Sequence, residues 1–213
     1  MNGRGVFEVS HPLVSHHLTR LRDESTEPAP FRALIRQLAD LIAYEATKDL
    51  TLARVEVRTP LTTTMGARLQ QRIGVVPILR AGLGMVDPIL NLIPTAEVWH
   101  LGLYRDEATA RPVEYYSKLP KSEPVDVALV LDPMLATGGS ATSAISVLKE
   151  WGVPTVKLLS VIAAPEGVEM VMSQFPATQI FVCGIDQHLN DQKFIVPGLG
   201  DAGDRIFNTL RDA

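Results

Sequence analysis

The chain has a single cysteine, Cys183, which leaves no partner for a disulfide within the chain and no thiolate cluster for zinc, and fits a reducing compartment such as the cytoplasm. It lacks an excess of positive charge: the formal balance is −4, without the clustered Lys and Arg that non-specific nucleic-acid binding needs. It lacks long hydrophobic runs. Stretches such as VALVL and LLSVIAA are too short to span a bilayer, and the opening MNGRGVFEV has no apolar signal-peptide core, so no membrane role is expected. Its 15 Gly and 15 Pro are scattered, which excludes a collagenous or low-complexity chain. What remains, 213 residues that are 46% hydrophobic and 21% charged, is enough to bury one sizeable core, and we read residues 1–213 as a single domain.

Apolar residues recur at three- and four-residue steps through the first fifty positions: Leu13, Leu18 and Leu21, then Phe31, Leu34, Ile35, Leu38 and Ile42. That spacing predicts two helices, separated and restarted by Pro28 and Pro30. From Arg54 onward, short β-branched runs alternate with helical stretches, the pattern of βαβ units and a parallel sheet buried on both faces. Predicted strands are Val55–Val57, Gly74–Leu79, Val98–Leu103, Val125–Leu131, Val156–Ile162 and Ile180–Cys183. Predicted helices are Gly84–Leu92, Ser140–Trp151, Gly167–Gln174 and Arg205–Arg211. The fold class is α/β with an N-terminal helical layer over residues 1–50. Residues 104–118 (YRDEATARPVEYYSK) are too charged for a core strand and predict an exposed hairpin or flap.

Three strand ends carry the chemistry. In VDVALVLDPMLATGGSAT a buried strand ends in Asp132, and Thr137-Gly138-Gly139-Ser140 opens a helix. Main-chain N–H groups and hydroxyls at a helix start suit a phosphate, and the acid just upstream could reach the hydroxyls of a sugar. An Asp in a turn followed by an ordinary Gly/Ser helix cap has the same local sequence. No G-x-x-x-x-G-K-[ST] run is present, which disfavours a nucleoside-triphosphate hydrolase. In GVVPILRAGLGMVD, Arg80 stands at a strand tip before a Gly82-x-Gly84 turn, matched to a second phosphate or a pyrophosphate. Arg105, at the start of the polar excursion, is either another such cation or a solvated surface residue. In FIVPGLGDAGDR the density of Gly and Pro leaves main-chain groups that a turn or a ligand must satisfy, and a planar base could be read there by peptide edges.

Together VPILRAGLGMVDPIL, LDPMLATGGSA, VIAAPEG and IVPGLGDAGDR closely resemble the uracil phosphoribosyltransferases from about Val75 to Phe207, and HPLVSHHLTRLRDEST resembles that family's opening helix. The resemblance implies a type I phosphoribosyltransferase fold: a central parallel sheet flanked by helices, a protruding flap, and a C-terminal hood over about residues 184–213. It implies transfer of the phosphoribosyl group from 5-phosphoribosyl pyrophosphate (PRPP) to N1 of uracil, giving uridine monophosphate (UMP) and pyrophosphate. By position, the PRPP loop would be Asp132, Pro133, Met134, Leu135, Ala136, Thr137, Gly138, Gly139 and Ser140. Arg80 and Arg105 would contact pyrophosphate, and Asp201 would lie near it. Ile195, Gly200, Asp201 and Ala202 would hold uracil, with Asp132, Arg105 and Asp201 carrying catalysis. Mg²⁺ would bind mainly through PRPP, with no dedicated protein metal site. The resemblance also implies at least a homodimer and raises GTP as an effector, which the sequence leaves open. Phe194 stands where family members often have tyrosine. A pyrimidine-sensing regulator that binds RNA with the same fold is the alternative, and the acidic charge balance argues against it.

His11, His16 and His17 read as a helix surface, since no acid or cysteine flanks them at ligand spacing. Cys183 reads as a small buried hydrophobe, Met134 and Leu135 as packing that anchors the phosphate loop, and Asp204-Arg205 as the start of the last helix.

Overall fold

The structure, a computed structural model, describes residues 5–105, 112–117, 119–120 and 122–209; over 102–105 and 112–117 it describes the main chain alone. In chain order the elements are β1 (Val6–Glu8), α1 (Pro12–Arg22), α2 (Pro28–Ala46), β2 (Leu52–Arg58), β3 (Thr63–Leu69), β4 (Ile73–Pro77), a 3₁₀ turn (Ala81–Met85), α3 (Val86–Leu92), β5 (Glu97–Val98), β6 (Leu101–Arg105) and β7 (Pro112–Ser117). There follow β8 (Val127–Leu131), β9 (Met134–Leu135), α4 (Gly139–Trp151), β10 (Thr155–Ala163), α5 (Pro165–Gln174), β11 (Gln179–Ile185), β12 (His188–Leu189), β13 (Ile195–Val196) and α6 (Ala202–Phe207).

The central sheet runs β1-β11-β10-β8-β4-β5, all parallel, with β9 continuing alongside β10. Every residue of β4 and β8 is buried, because helices cover both faces of the sheet. On one face α2 lays down the expected stripe of Phe31, Leu34, Ile35, Leu38 and Ile42, all at 2% exposure or less, against Val75, Leu129 and Leu159. On the other face Ala144, Ile145 and Leu148 of α4 pack with Val76, Val130 and Leu158. A charge sits in this layer: Lys157 of β10 donates from Nζ to the carbonyl of Ala46 (2.7 Å) and to Asp49, at the C-terminal end of α2. A cation there meets carbonyls that have no partner within the helix.

Three expectations need correction. The Val55–Val57 run lies in β2, which pairs antiparallel with β3 as a separate hairpin and not in the parallel sheet. The Val98–Leu103 run splits into β5, inside the sheet, and β6, which leaves it to pair with β7. The last helix runs Ala202–Phe207, not Arg205–Arg211, with Asp204 in its first turn as expected for an acid at the helix start. In the first two cases the pairing partner decides where a β-branched run belongs, and in the third the Asp201 cap sets the helix start. The excursion predicted as a flap is a hairpin in its main chain, with Arg105 opposite Pro112, and residues 106–111 lie outside the described residues. Cys183 is buried, which pushes its thiol up to about 12, with Glu8 adding to the shift.

Candidate active site

β4 and β8 are parallel neighbours with Pro77 beside Leu131, and the Ile78 N–H donates to the Leu131 carbonyl (2.9 Å). From β4 the chain winds outward to β5, whereas from β8 it winds the other way through β10 to β11. This reversal makes a crevice beyond the strands' carboxyl ends, where open parallel sheets hold ligands. Arg80 follows β4 and Asp132 follows β8, so both predicted residues stand at its rim.

The 132–140 segment is held along the edge of β10. Asp132 N–H donates to the Leu159 carbonyl (3.1 Å), the Pro133 carbonyl accepts from Val161 (3.0 Å) and Ile162 (3.1 Å), and Met134 and Leu135 pair with Ile162 and Ala163. Leu135 is buried, in line with its expected anchoring role. Gly138 caps α4 with φ of +81°, and a Cβ there would meet the Gly167 carbonyl of α5 at 2.9 Å. No side chain caps the helix start, while the Thr142 hydroxyl donates back to the Gly138 (3.0 Å) and Gly139 (2.9 Å) carbonyls. Thr137 Oγ1 lies 3.5 Å from the Gly139 nitrogen, and Ser140 is exposed. The result is a main-chain cradle at a helix N-terminus, a geometry that favours anions.

Asp132 itself is half-buried, and its surroundings push its carboxyl up to about 7. Desolvation dominates, and the Met134 N–H, 3.4 Å from Oδ1, opposes it weakly. A carboxyl poised near neutrality ionises readily when positive charge develops beside it.

Arg80 is exposed and pairs with Asp204 of α6 (3.1 Å). The Thr209 hydroxyl (2.6 Å) and then Arg80 hold the Asp204 carboxyl below the usual carboxylate range. Asp201 caps α6 through the Asp204 N–H (2.9 Å). The space beside Gly203 that a Cβ would fill lies 3.2 Å from Asp201 Oδ1 and 3.8 Å from Arg80 Nη2, so the two predicted residues face one small volume. The structure thus brings Asp132, Arg80 and Asp201 to the same end of the sheet. Arg105 ends β6, and its side chain lies outside the described residues.

In the C-terminal segment Asn190 N–H donates to the Phe194 carbonyl (2.9 Å), and β12 and β13 pair Leu189 with Ile195. In an antiparallel ladder hydrogen-bonded and non-hydrogen-bonded pairs alternate, so the N–H and C=O of Ile195 point away from β12. Ile195 is buried as a side chain, Gly200 is exposed, and Ala202 is buried at the first position of α6. Phe194 is 44% exposed.

Sequence reasoning missed the groups that hold this segment. Arg205, assigned to a helix start, is buried. It donates to the carbonyls of Leu21 (2.9 Å), Leu199 (2.7 Å), Asp23 (2.7 Å) and Thr26 (3.2 Å), with its guanidinium 4.2 Å from the centre of the Phe31 ring. Arg22 and Asp186 form an ion pair against Gly198, and Glu166 of α5 accepts from Leu189 N–H (3.0 Å). No local motif marks them, because Arg22 and Asp186 are 164 residues apart and Arg205 finds most of its acceptors between Leu21 and Thr26. Among the described residues no three His, Cys, Asp or Glu side chains cluster as a metal site.

Residues 8–209 match the family model described as Uracil phosphoribosyltransferase. A protein named uracil phosphoribosyltransferase from Roseiflexus castenholzii is 59% identical over 204 residues, covering 96% of this chain and 98% of that one. Another of the same name from Finegoldia magna is 54% identical, over 93% of this chain and 96% of that one. Among solved structures, the AQ2163 protein from Aquifex aeolicus superposes with a TM-score of 0.89 at 39% identity, over 95% of this chain and 97% of that one. Adenine phosphoribosyltransferase from Trypanosoma brucei shares the fold at a TM-score of 0.59 and 12% identity, over 94% of this chain and 90% of that one.

Proposed function

The chain belongs to the uracil phosphoribosyltransferase family, and on that premise we propose that it transfers the phosphoribosyl group of PRPP to N1 of uracil, releasing UMP and pyrophosphate. The observation that carries the reading is the meeting of an anion cradle, Asp132, Arg80 and an outward-facing peptide edge at one end of the sheet. Family membership favours this transferase over an RNA-binding regulator of the same fold.

In the reaction the bond between C1′ and pyrophosphate breaks and a bond from C1′ to uracil N1 forms, with the N1 proton leaving. Positive charge builds on the ribose and negative charge on the leaving group, and fixed groups aimed at both are the efficient catalysts. The α4 cradle from Thr137 to Ser140 would hold the 5′-phosphate, and Asp132 the ribose hydroxyls while stabilising the developing cation. Arg80 and Arg105 would stabilise the pyrophosphate. No histidine lies in the three loops, so the N1–H would be acidified by main-chain donors to the uracil oxygens from Ile195, Gly200 and Ala202.

Magnesium prefers oxygen donors and keeps several waters, and the carboxylates on hand, Asp201 beside Arg80 and Asp132, suit it better than any nitrogen or sulfur cluster. It would ride on PRPP with Asp201 as its nearest protein carboxylate, and when bound it supplies charge neutralisation at the leaving group. We further infer a homodimer or larger assembly: among the described residues β2 and β3 pair only with each other, their hairpin exposes Leu52, Val57, Leu61 and Met65, and an isolated two-stranded hairpin is marginal in water. We infer a cytoplasmic enzyme, a reading supported by the buried, unpaired thiol of Cys183. Among the described residues no helix is long and apolar enough to cross a membrane.

A pyrophosphate-release assay with PRPP and Mg²⁺, run with uracil, cytosine, hypoxanthine or orotate and with or without GTP, tests the reading. Release with uracil alone is expected, because cytosine reverses donors and acceptors and would strand buried peptide groups. Release with hypoxanthine, or UMP binding without turnover, overturns it. Acceleration by GTP would establish the effector.

A further inference from the structure

We propose that Arg22 and Asp186 are positioning residues that set nucleobase specificity, by locking Gly198 against the main chain of Ile195. The inference rests on the reading that this segment receives uracil.

The side chain of Asp186 is 4% exposed, and Arg22 meets it as a fork, Nη1 to Oδ2 at 2.8 Å and Nη2 to Oδ1 at 2.5 Å. The same two side chains take both main-chain groups of one residue. Gly198 N–H donates to Asp186 Oδ2 (2.9 Å), and Arg22 Nη1 donates to the Gly198 carbonyl (2.8 Å). Gly198 is thereby clamped in a left-handed conformation (φ +66°), so close to Ile195 that a Cβ would lie 2.1 Å from the Ile195 carbonyl oxygen. That carbonyl belongs to the peptide edge that faces away from β12. A shift of Gly198 therefore moves the edge that would read the base.

Both ends of the clamp stand on rigid supports. Arg22 closes α1, and Asp186 follows β11 with its own N–H donated to the Ala163 carbonyl at the tip of β10 (2.8 Å). A buried ion pair gains little stability over apolar packing once desolvation is counted, so a forked pair that also takes both main-chain groups of one glycine speaks for orientation. The phosphate cradle, held by β10 and α5, takes no contact from this pair. The pair should thus act on one substrate and not on the other.

The test is steady-state kinetics on Asp186→Asn and Arg22→Lys, singly and together, with uracil, cytosine and PRPP varied. Asp186→Asn keeps the size and an acceptor for Gly198 while losing the charge; Arg22→Lys keeps the charge and loses the fork. Each is expected to raise KM for uracil about tenfold and to lower the preference for uracil over cytosine by a similar factor. KM for PRPP should stay within about twofold, and the double variant should add less than about twofold to the larger single effect, because both act through one clamp. If Asp186→Asn does not fold, Arg22→Lys, in which the buried charge stays paired, carries the test. Equal changes in both KM values, an unchanged preference for uracil, or additive effects in the double variant overturn the inference. A wild-type chain that releases no pyrophosphate with uracil fails the underlying reading instead, so the two failures are distinct.

Discussion

The two segments that we propose meet phosphate and base are built on opposite plans. The 132–140 loop is assembled locally: β8, β9 and the start of α4 follow one another in sequence, and the loop's tethers run to the adjacent β10 and α5. The proposed base-facing segment is assembled from afar, with Arg22, the carbonyls of Leu21, Asp23 and Thr26, and the Phe31 ring supplied by the N-terminal helices and the turn between them. An anion can be met by a helix start, which any short stretch of chain can form. A flat base must be met by peptide edges in irregular backbone, which has no ladder of its own to fix it.

The sharpest way to break this contrast is Arg205→Met. It leaves carbonyls of Leu21, Leu199, Asp23 and Thr26 without their donor, and should cost on the order of 3 kcal/mol, seen as a fall in Tm of about 10 °C. A loss near zero would mean that the segment is held by apolar packing, with the distant arginine incidental. Next in size, Asp132→Asn should lower kcat/KM by about 10²-fold, on the scale of a lost transition-state charge, with Tm little changed at neutral pH. Wild-type turnover in that variant would remove Asp132 from the mechanism. Smaller again, Gly138→Ala should destabilise by about 1–2 kcal/mol through its φ of +81° and its approach to the Gly167 carbonyl, and should raise KM for PRPP more than that for uracil. An effect on uracil alone would contradict a cradle confined to phosphate.

The same contrast explains what could be read in advance. The strands β4, β8, β10 and β11, the α2 stripe and the order Asp132, loop, glycine, helix all rest on residues adjacent in sequence, so composition and spacing reveal them. The β2–β3 hairpin was misplaced because β-branched runs signal a strand without naming its partner. Arg22, Asp186 and Arg205 were overlooked for a related reason. A charged residue at the end of a helix or strand resembles a solvated one until chain from more than a hundred residues away closes over it. Motif resemblance singled out the residues proposed to read the base, while nothing local could indicate what holds them.

The pH dependence of Asp132 sharpens the comparison further. Burial pushes its carboxyl up to about 7, above the value near 4 that an unfolded chain gives it. Between those values the folded chain holds a proton that the unfolded chain has lost. Its contribution to stability is therefore complete below about pH 4 and disappears as the pH rises through 7. Catalysis should run the other way: the ionised carboxylate is the form that stabilises a ribose cation, so kcat/KM for PRPP should climb toward a plateau above about pH 7. Tm profiles and pH–rate profiles of the wild type and Asp132→Asn check both at once. The substitution should flatten the fall in Tm between about pH 4 and 7 and remove the corresponding limb from the rate profile. A rate limb that survives the substitution would assign the titration to another group, and a Tm profile that keeps its slope would mean that the carboxyl ionises in the folded chain as easily as in water.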